Sequence, residues 1–304
     1  VFAACGGMLA PAGIFLLCTW GTGQSRGWAI PMATDIAFAL GVLALVGNHV
    51  PAAVRVFLST LAIVDDLGAV VVISLVFTER IMWPLLVVAL TLVALGALFN
   101  RLRVAALRWY LALGVALWWA VQGSGIHATI SGVALALVIP CGRPSAAPGA
   151  FGDPTVVAAP GMGSAADRLH QRLQPIVAWG IMPLFALANA GIALHGILGP
   201  GLAPGHLGLI LGIVLGLVVG KPVGILAASV LALRLNLAEL PARVSLRQLA
   251  GAACLGGIGF TMALFLANLA CPDPLAGRLS VAAVLLASLA AALAGLALLW
   301  RRQR

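Results

Sequence analysis

Ten apolar runs, each long enough to cross a bilayer as a helix, set the terms on which this chain can fold. A helix needs about 20 mainly apolar residues to span the hydrocarbon. The runs cover residues 1–20, 31–47, 53–77, 83–99, 104–122, 124–140, 175–194, 207–233, 248–270 and 279–300. Most are joined by short loops, such as Asn48 to Ala52 and Thr78 to Met82, so neighbouring helices are expected to pack antiparallel. Hydrophobic residues make up 62% of the chain and charged residues 8%, against about 25% charged in soluble domains. The expected class is an all-α polytopic membrane protein of about ten transmembrane helices.

A formal charge of +9 could point to nucleic acid, but the placement of the arginines excludes that partner. Alternating spans sort the connections into two sets. One carries Arg55, Arg101, Arg103, Arg108, Arg143, Arg168, Arg172, Arg234, Arg243, Arg247, Arg301, Arg302 and Arg304; the other carries Arg26, Arg80 and Arg278. Thirteen against three is a strong positive-inside bias that assigns both chain ends to the cytoplasm. Nine or eleven spans would scramble the sorting.

One long stretch breaks the pattern. Cys141 to Gln174 is rich in Gly, Pro, Ala and Ser and reads as a flexible cytoplasmic linker. It divides a single membrane transport domain, 1–304, into six helices over 1–140 and four over 175–304. Cys5, Cys18 and Cys254 lie in apolar runs, and Cys141 and Cys271 at span ends. Without paired spacing they imply neither zinc nor a disulfide framework. Val1 falls inside an apolar run, with no basic region before it and no cleavage site after it. A signal peptide is therefore not expected, and a preceding N-terminal segment is.

Two runs are interrupted. The second opens with Pro31 and places Thr34 and Asp35 before Gly41; the ninth contains Gly256, Gly257 and Gly259, then Phe260 and Thr261. Each glycine costs a helix about 1 kcal/mol relative to alanine, so the cluster invites either unwinding or close packing through small residues. The two runs hold matching positions, each the middle of a terminal group of three. That arrangement is the sequence pointer to an inverted-repeat transporter with its site where broken helices meet.

The charges left in oil are few. Lys221 is the only lysine, far from either end of its run, and the acids at comparable depth are Asp35, Asp65 and Asp66. Each such charge costs roughly 2.5–3.5 kcal/mol on insertion scales and marks a functional candidate. Pro222, beside Lys221, removes a backbone donor and is expected to kink the helix. Asp65 and Asp66 project about 100° apart on their helix, so two roles are expected: one lines an aqueous funnel and binds a cation, the other meets a neighbouring helix. A carboxylate pair that holds either protons or a hard cation, but not both, is an exchanger in outline, and oxygen ligands suit hard ions. Asp35 would offset the positive N-terminal ends of broken helices and Lys221 the negative C-terminal ends, a role of charge compensation. His127, just inside the sixth run, is either an interfacial polar residue or a group that responds to pH. His49, His170, His195 and His206 fall in loops.

The motifs TDIAFALG from Thr34, AIVDDLGA from Ala62, SGIHATISG from Ser124, MPLFALANAGI from Met182, GKPVGI from Gly220 and GGIGFTMALFLA from Gly256 resemble those of the NhaA family of bacterial sodium/proton antiporters, in the family's order over nearly the whole chain. The resemblance implies a fold of inverted-topology repeats with two crossed, unwound helices. It makes Asp65 and Asp66 the cation and proton site, with sodium held there, and Lys221 the salt-bridge partner of Asp65. Thr34 and Asp35 fall in the first unwound helix, Gly256, Gly257 and Gly259 in the second, and His127 is associated with pH response. It further implies a multi-pass protein of the bacterial inner membrane, in contact with lipid, not an enzyme, needing no cofactor, and pairing as a homodimer. Family members begin with two further spans, so these ten would be the third to twelfth. They also carry an acidic and basic cluster where this chain reads ADRLHQRLQP, with Asp167 the only acid, so the family's pH profile does not carry over.

The expected activity is electrogenic exchange of cytoplasmic sodium or lithium for external protons, serving pH and sodium homeostasis. A sodium-coupled organic-anion symporter is a second transport reading, disfavoured by three buried acids against one base. An intramembrane aspartyl protease using Asp35 and Asp65, or an inactive remnant, are the readings from other classes.

Overall fold

The computed structural model describes residues 1–47, 50–76, 78, 81–102, 104, 106–140, 164–191, 204–239, 244–271 and 273–300. Outside them lie Arg80, Arg103, Arg143, Arg243, Arg301, Arg302 and Arg304 of the charge sorting, His49, His195, Cys141, residues 192–194 of the seventh run, and 141–163 of the expected linker. Among the described residues every regular element is helical. Five helical stretches are long and apolar enough to cross a membrane: Ser25–Val46, Ala52–Ser74, Trp83–Arg101, Gly205–Arg234 and Pro274–Trp300. The pair Leu246–Gly256 and Phe260–Ala270, bent by 42°, makes a sixth if taken as one broken span.

The chain divides into two compact units, Val1–Ala69 with Met182–Arg304, and Val70–Ile181. In the first unit, α1 (Phe2–Cys18) leads into a 3-10 helix (Ser25–Met32) and then α2 (Ile36–Val46). The long helix α3 (Ala52–Val76) begins here and carries the unit boundary. The unit continues with α8 (Met182–Ala190), α9 (Pro204–Leu215), α10 (Lys221–Arg234), α11 (Leu246–Gly256), α12 (Phe260–Ala270) and α13 (Pro274–Trp300). Its apolar core joins Leu43 of α2, Leu58 of α3, Ile225 of α10, Leu255 of α11 and Ala291 of α13. Small residues allow the closest approaches: Gly6 of α1 and Gly224 of α10 leave no room for a side chain on either, as membrane helices that pack without a hydrophobic driving force require.

The second unit holds α4 (Trp83–Arg101), α5 (Leu107–Gly123), α6 (Thr129–Val138) and α7 (Ala165–Ile176). Leu117, Ala120 and Val121 of α5 pack against Ala89 of α4, and Tyr110 meets Phe99 edge to face at 6.3 Å.

Some expectations need correcting in detail. His170 and His206, expected in loops, lie in α7 and α9. The sixth run is helical only from Thr129, because Ser124 to Ala128 form a turn in which Gly125 takes a positive φ of 85°, so His127 stands in that turn ahead of the helix. The linker expected to reach Gln174 is already helical from Ala165. Ser164 accepts from the Asp167 N–H while the Asp167 carboxylate accepts from the Ser164 N–H, a capping box that starts α7. A kink beside Pro222 takes the form of a π turn, Gly216–Gly220, directly before Lys221. A second π turn, Val177–Ile181, stands in the same position before Met182 and Pro183. A proline in a helix lacks its N–H and crowds the carbonyl four residues back. That carbonyl belongs to Val218 or Trp179, in the middle of each π turn, and widening the ladder there relieves the crowding.

Candidate functional site

Two helical stretches are interrupted. The 3-10 helix ends at Met32, Ala33 is extended, and α2 starts with Asp35 as its N-cap. The other break leaves Gly257, Ile258 and Gly259 between α11 and α12. None of Gly256, Gly257 and Gly259 has a positive φ. Their smallness serves proximity instead: a methyl on Gly257 would meet the Leu217 carbonyl, and one on Gly259 would crowd Ala263.

The two breaks are tied directly to each other. The Asp35 N–H donates to the Ile258 carbonyl at 2.6 Å. Its carboxylate then serves two helix starts. Oδ1 accepts from the Phe38 N–H of α2 at 3.0 Å, and Oδ2 accepts from the N–H of Thr261 in α12 at 3.1 Å and from its hydroxyl at 2.5 Å. Helix N-termini carry unsatisfied N–H groups and partial positive charge, so a buried carboxylate is stabilised where two of them converge. Asp35 is 1% exposed.

The opposite ends of the broken segments present carbonyls, and these meet donors. Lys221 Nζ donates to the Met32 carbonyl at the end of the 3-10 helix and forms a salt bridge with Asp65 Oδ2 at 3.0 Å, with both side chains fully buried. The Thr34 hydroxyl lies 2.8 Å from Asp65 Oδ2 and 2.9 Å from the Gly256 carbonyl at the end of α11. It has one hydrogen and can donate to one of them at a time.

Asp65 Oδ2 is thus engaged by an ammonium and a hydroxyl, whereas its Oδ1 has no hydrogen-bond partner among the described residues. The same holds for Oδ1 of Asp66, which is half-buried. Two adjacent acids each keeping a buried oxygen unpaired is an unusual arrangement, because buried polar groups are nearly always bonded. Such oxygens can accept a proton or contribute to the shell of a hard cation. Among the described residues no three His, Cys, Asp or Glu side chains cluster as metal ligands.

The structure therefore brings Thr34, Asp35, Asp65, Lys221 and the Gly256–Gly259 break into one network, with Asp66 on the next position of α3. His127 belongs to the other unit, where its Nδ1 lies 3.2 Å from the Thr129 hydroxyl. Asp35 has both oxygens committed to capping, which leaves it unsuited to an acid/base dyad with Asp65. Sequence reading assigned no part to the Met32 carbonyl or to Thr261. Thr261 carried a usable signal, a hydroxyl residue in the first turn after a glycine break; the carbonyl carried none.

Comparison with known proteins bears on this geometry. The family model described as Na+/H+ antiporter 1 matches residues 1–299. The chain is 46% identical over 308 residues to a protein of Pseudomonas syringae pv. syringae named Na(+)/H(+) antiporter NhaA 1, covering 99% of this chain and 73% of that relative. It is 48% identical over 302 residues to the Na(+)/H(+) antiporter NhaA of Sodalis glossinidius, covering 98% and 71%. With the protein of that name from Caulobacter vibrioides it shares 46% over 301 residues, covering 98% and 69%. The chain thus spans about seven-tenths of the length of these relatives.

Proposed function

This chain belongs to the Na+/H+ antiporter 1 family, and from that premise we propose that it is a secondary transporter exchanging sodium for protons at Asp65 and Asp66. The observation that carries the site is the pair of buried, unpaired carboxylate oxygens beside the Lys221–Asp65 bridge. Sodium entering there gains the free oxygens of Asp65 and Asp66, with Thr34 and the Gly256 carbonyl near enough to complete a shell after small shifts. Protons occupy the same oxygens, so each ligand excludes the other, and that exclusion couples the two fluxes. Lys221 balances Asp65 while no cation is bound and keeps the buried charge close to neutral. A cation on Asp65 competes with the ammonium, so binding loosens the tie between α10 and α3 and gives the carrier a reason to change conformation.

The reading extends to electrogenic exchange. If both carboxylates carry a proton back for each monovalent cation, net charge moves and the membrane potential drives sodium or lithium out. Imported protons then lower the cytoplasmic pH and sodium export relieves salt load. The bias of thirteen arginines against three supports a bacterial inner-membrane protein with both chain ends cytoplasmic, ten helices and alternating loops. The joined breaks support two crossed, unwound helices from inverted repeats, and a single transport domain of six helices, linker and four helices. His127 is assigned a part in pH response by motif alone, and the homodimer rests on family likeness. The family consists of transporters rather than enzymes, and exchange needs no cofactor.

The test is exchange by the full-length protein in proteoliposomes. Adding sodium should collapse a pre-set pH gradient, and Asp66→Asn should abolish the response. An undiminished response in Asp66→Asn would contradict the site.

A further inference from the structure

We propose that Ser288 is a positioning residue for the exchange site, acting from α13 through the start of α12. This deepens the sodium/proton reading and rests on it. Helix α12 begins after Gly259, which has no side chain with which to cap its exposed N–H groups. At membrane depth there is no bulk water to take them either, so they need protein acceptors. Two foreign side chains supply these. The Thr261 N–H goes to Asp35, and the Phe260 N–H goes to the hydroxyl of buried Ser288 at 3.1 Å, across 28 residues of sequence.

The two acceptors differ in what carries them. Asp35 stands at a break and moves with it, whereas Ser288 lies near the middle of α13, an unbroken 27-residue helix that packs against both halves of the broken span. Ser288 therefore fixes the height of the break against a rigid rod. Phe260, the residue it holds, also packs its ring against that of Phe38 of α2, tilted by 56° at 4.3 Å between centroids. Phe38 in turn gives its N–H to Asp35. One hydroxyl thus registers α12 against α2. That register sets where Thr34, the residue before Asp35, stands relative to Asp65 and the Gly256 carbonyl. Ser288 touches no ion; it holds the groups that do.

The role predicts a change in affinity with little change in maximal rate. In proteoliposomes of the full-length protein, Ser288→Ala should raise the sodium concentration for half-maximal exchange by on the order of tenfold, the effect of losing a group that orients metal ligands. Ser288→Thr, which keeps the accepting oxygen, should return it to within about twofold of wild type on the same grounds. Ser280→Ala is the control, another buried serine of α13 whose hydroxyl faces the Cys271 thiol at 3.5 Å; it should match wild type. If Ser288→Ala does not assemble, Ser288→Cys, similar in size but a poor acceptor, must show the rise. Half-saturation unchanged in the Ala or Cys variant, or raised equally by Ser280→Ala, overturns the proposal. Absence of sodium-driven exchange in the wild type would instead overturn the functional reading beneath it.

Discussion

Asp35 and Asp65 are buried aspartates in the same unit, yet their surroundings are opposite. Asp35 has every nearby donor accounted for: Phe38 on one oxygen, and the N–H and hydroxyl of Thr261 on the other. Asp65 has the Lys221 ammonium and the Thr34 hydroxyl both within reach of Oδ2, while among the described residues its Oδ1 and the Oδ1 of Asp66 beside it have no hydrogen-bond partner. A carboxylate with a donor on each oxygen is part of the frame. One with an oxygen left without a donor can take a visiting proton or cation. The same residue type thus does two jobs, and the oxygen without a donor separates them.

The largest expected effect comes from Asp65→Asn. It should abolish exchange and also leave the Lys221 ammonium buried without a counter-charge. Breaking a buried pair from one side costs about 3–5 kcal/mol, so thermal unfolding in detergent should fall sharply along with sodium-driven proton flux. Asp35→Ala should act next, chiefly on stability. It strips the acceptor from two helix starts, at about 1 kcal/mol per lost cap and more where the donor stays buried, and residual exchange should remain measurable. If Asp35→Ala removed exchange with stability unchanged, the division between frame and site would fail.

Gly257→Ala probes the frame without touching charge. Its methyl would press on the Leu217 carbonyl, and overpacking of this kind costs about 1–3 kcal/mol; the melting temperature should drop while sodium half-saturation moves less than in Ser288→Ala. The smallest effect lies at α7, in the other unit. There the hydroxyl and backbone N–H of Ser164 hold the exposed Asp167 carboxyl below its ordinary range. A carboxylate held down in the folded state stabilises above its unfolded value, and that contribution is lost as pH falls through the folded one. Amide protection factors in the first turn of α7 should therefore decline in the acid range below about pH 4, and Ser164→Ala should flatten that dependence.

Much of the frame was legible because membrane burial makes charge conspicuous. One lysine and a few deep acids stand out in any apolar run, and the breaks announced themselves through Pro31, Thr34 and a glycine cluster. What stayed hidden was of two kinds. Partnerships across long sequence separations, such as Phe260 with Ser288 or Lys221 with the Met32 carbonyl, leave no local pattern, since a carbonyl is common to every residue. Local irregularities were missed for a different reason: their signals were present but faint. Ser164 and Asp167 spell a capping box inside a stretch that composition marks as linker, and Pro222 marks a π turn that reads first as a simple kink. The glycines at the second break were open to two readings, unwinding or close packing; none takes a positive φ, and the space beside Gly257 and Gly259 is filled by the Leu217 carbonyl and Ala263.

The central claim is that sodium and protons compete for the oxygens of Asp65 and Asp66. Sodium should therefore displace protons from the purified full-length protein in weakly buffered detergent, followed with a pH indicator while radioactive sodium reports occupancy. The account predicts proton release that rises in step with bound sodium and vanishes in Asp66→Asn. Sodium binding to the wild type with no proton release would contradict it.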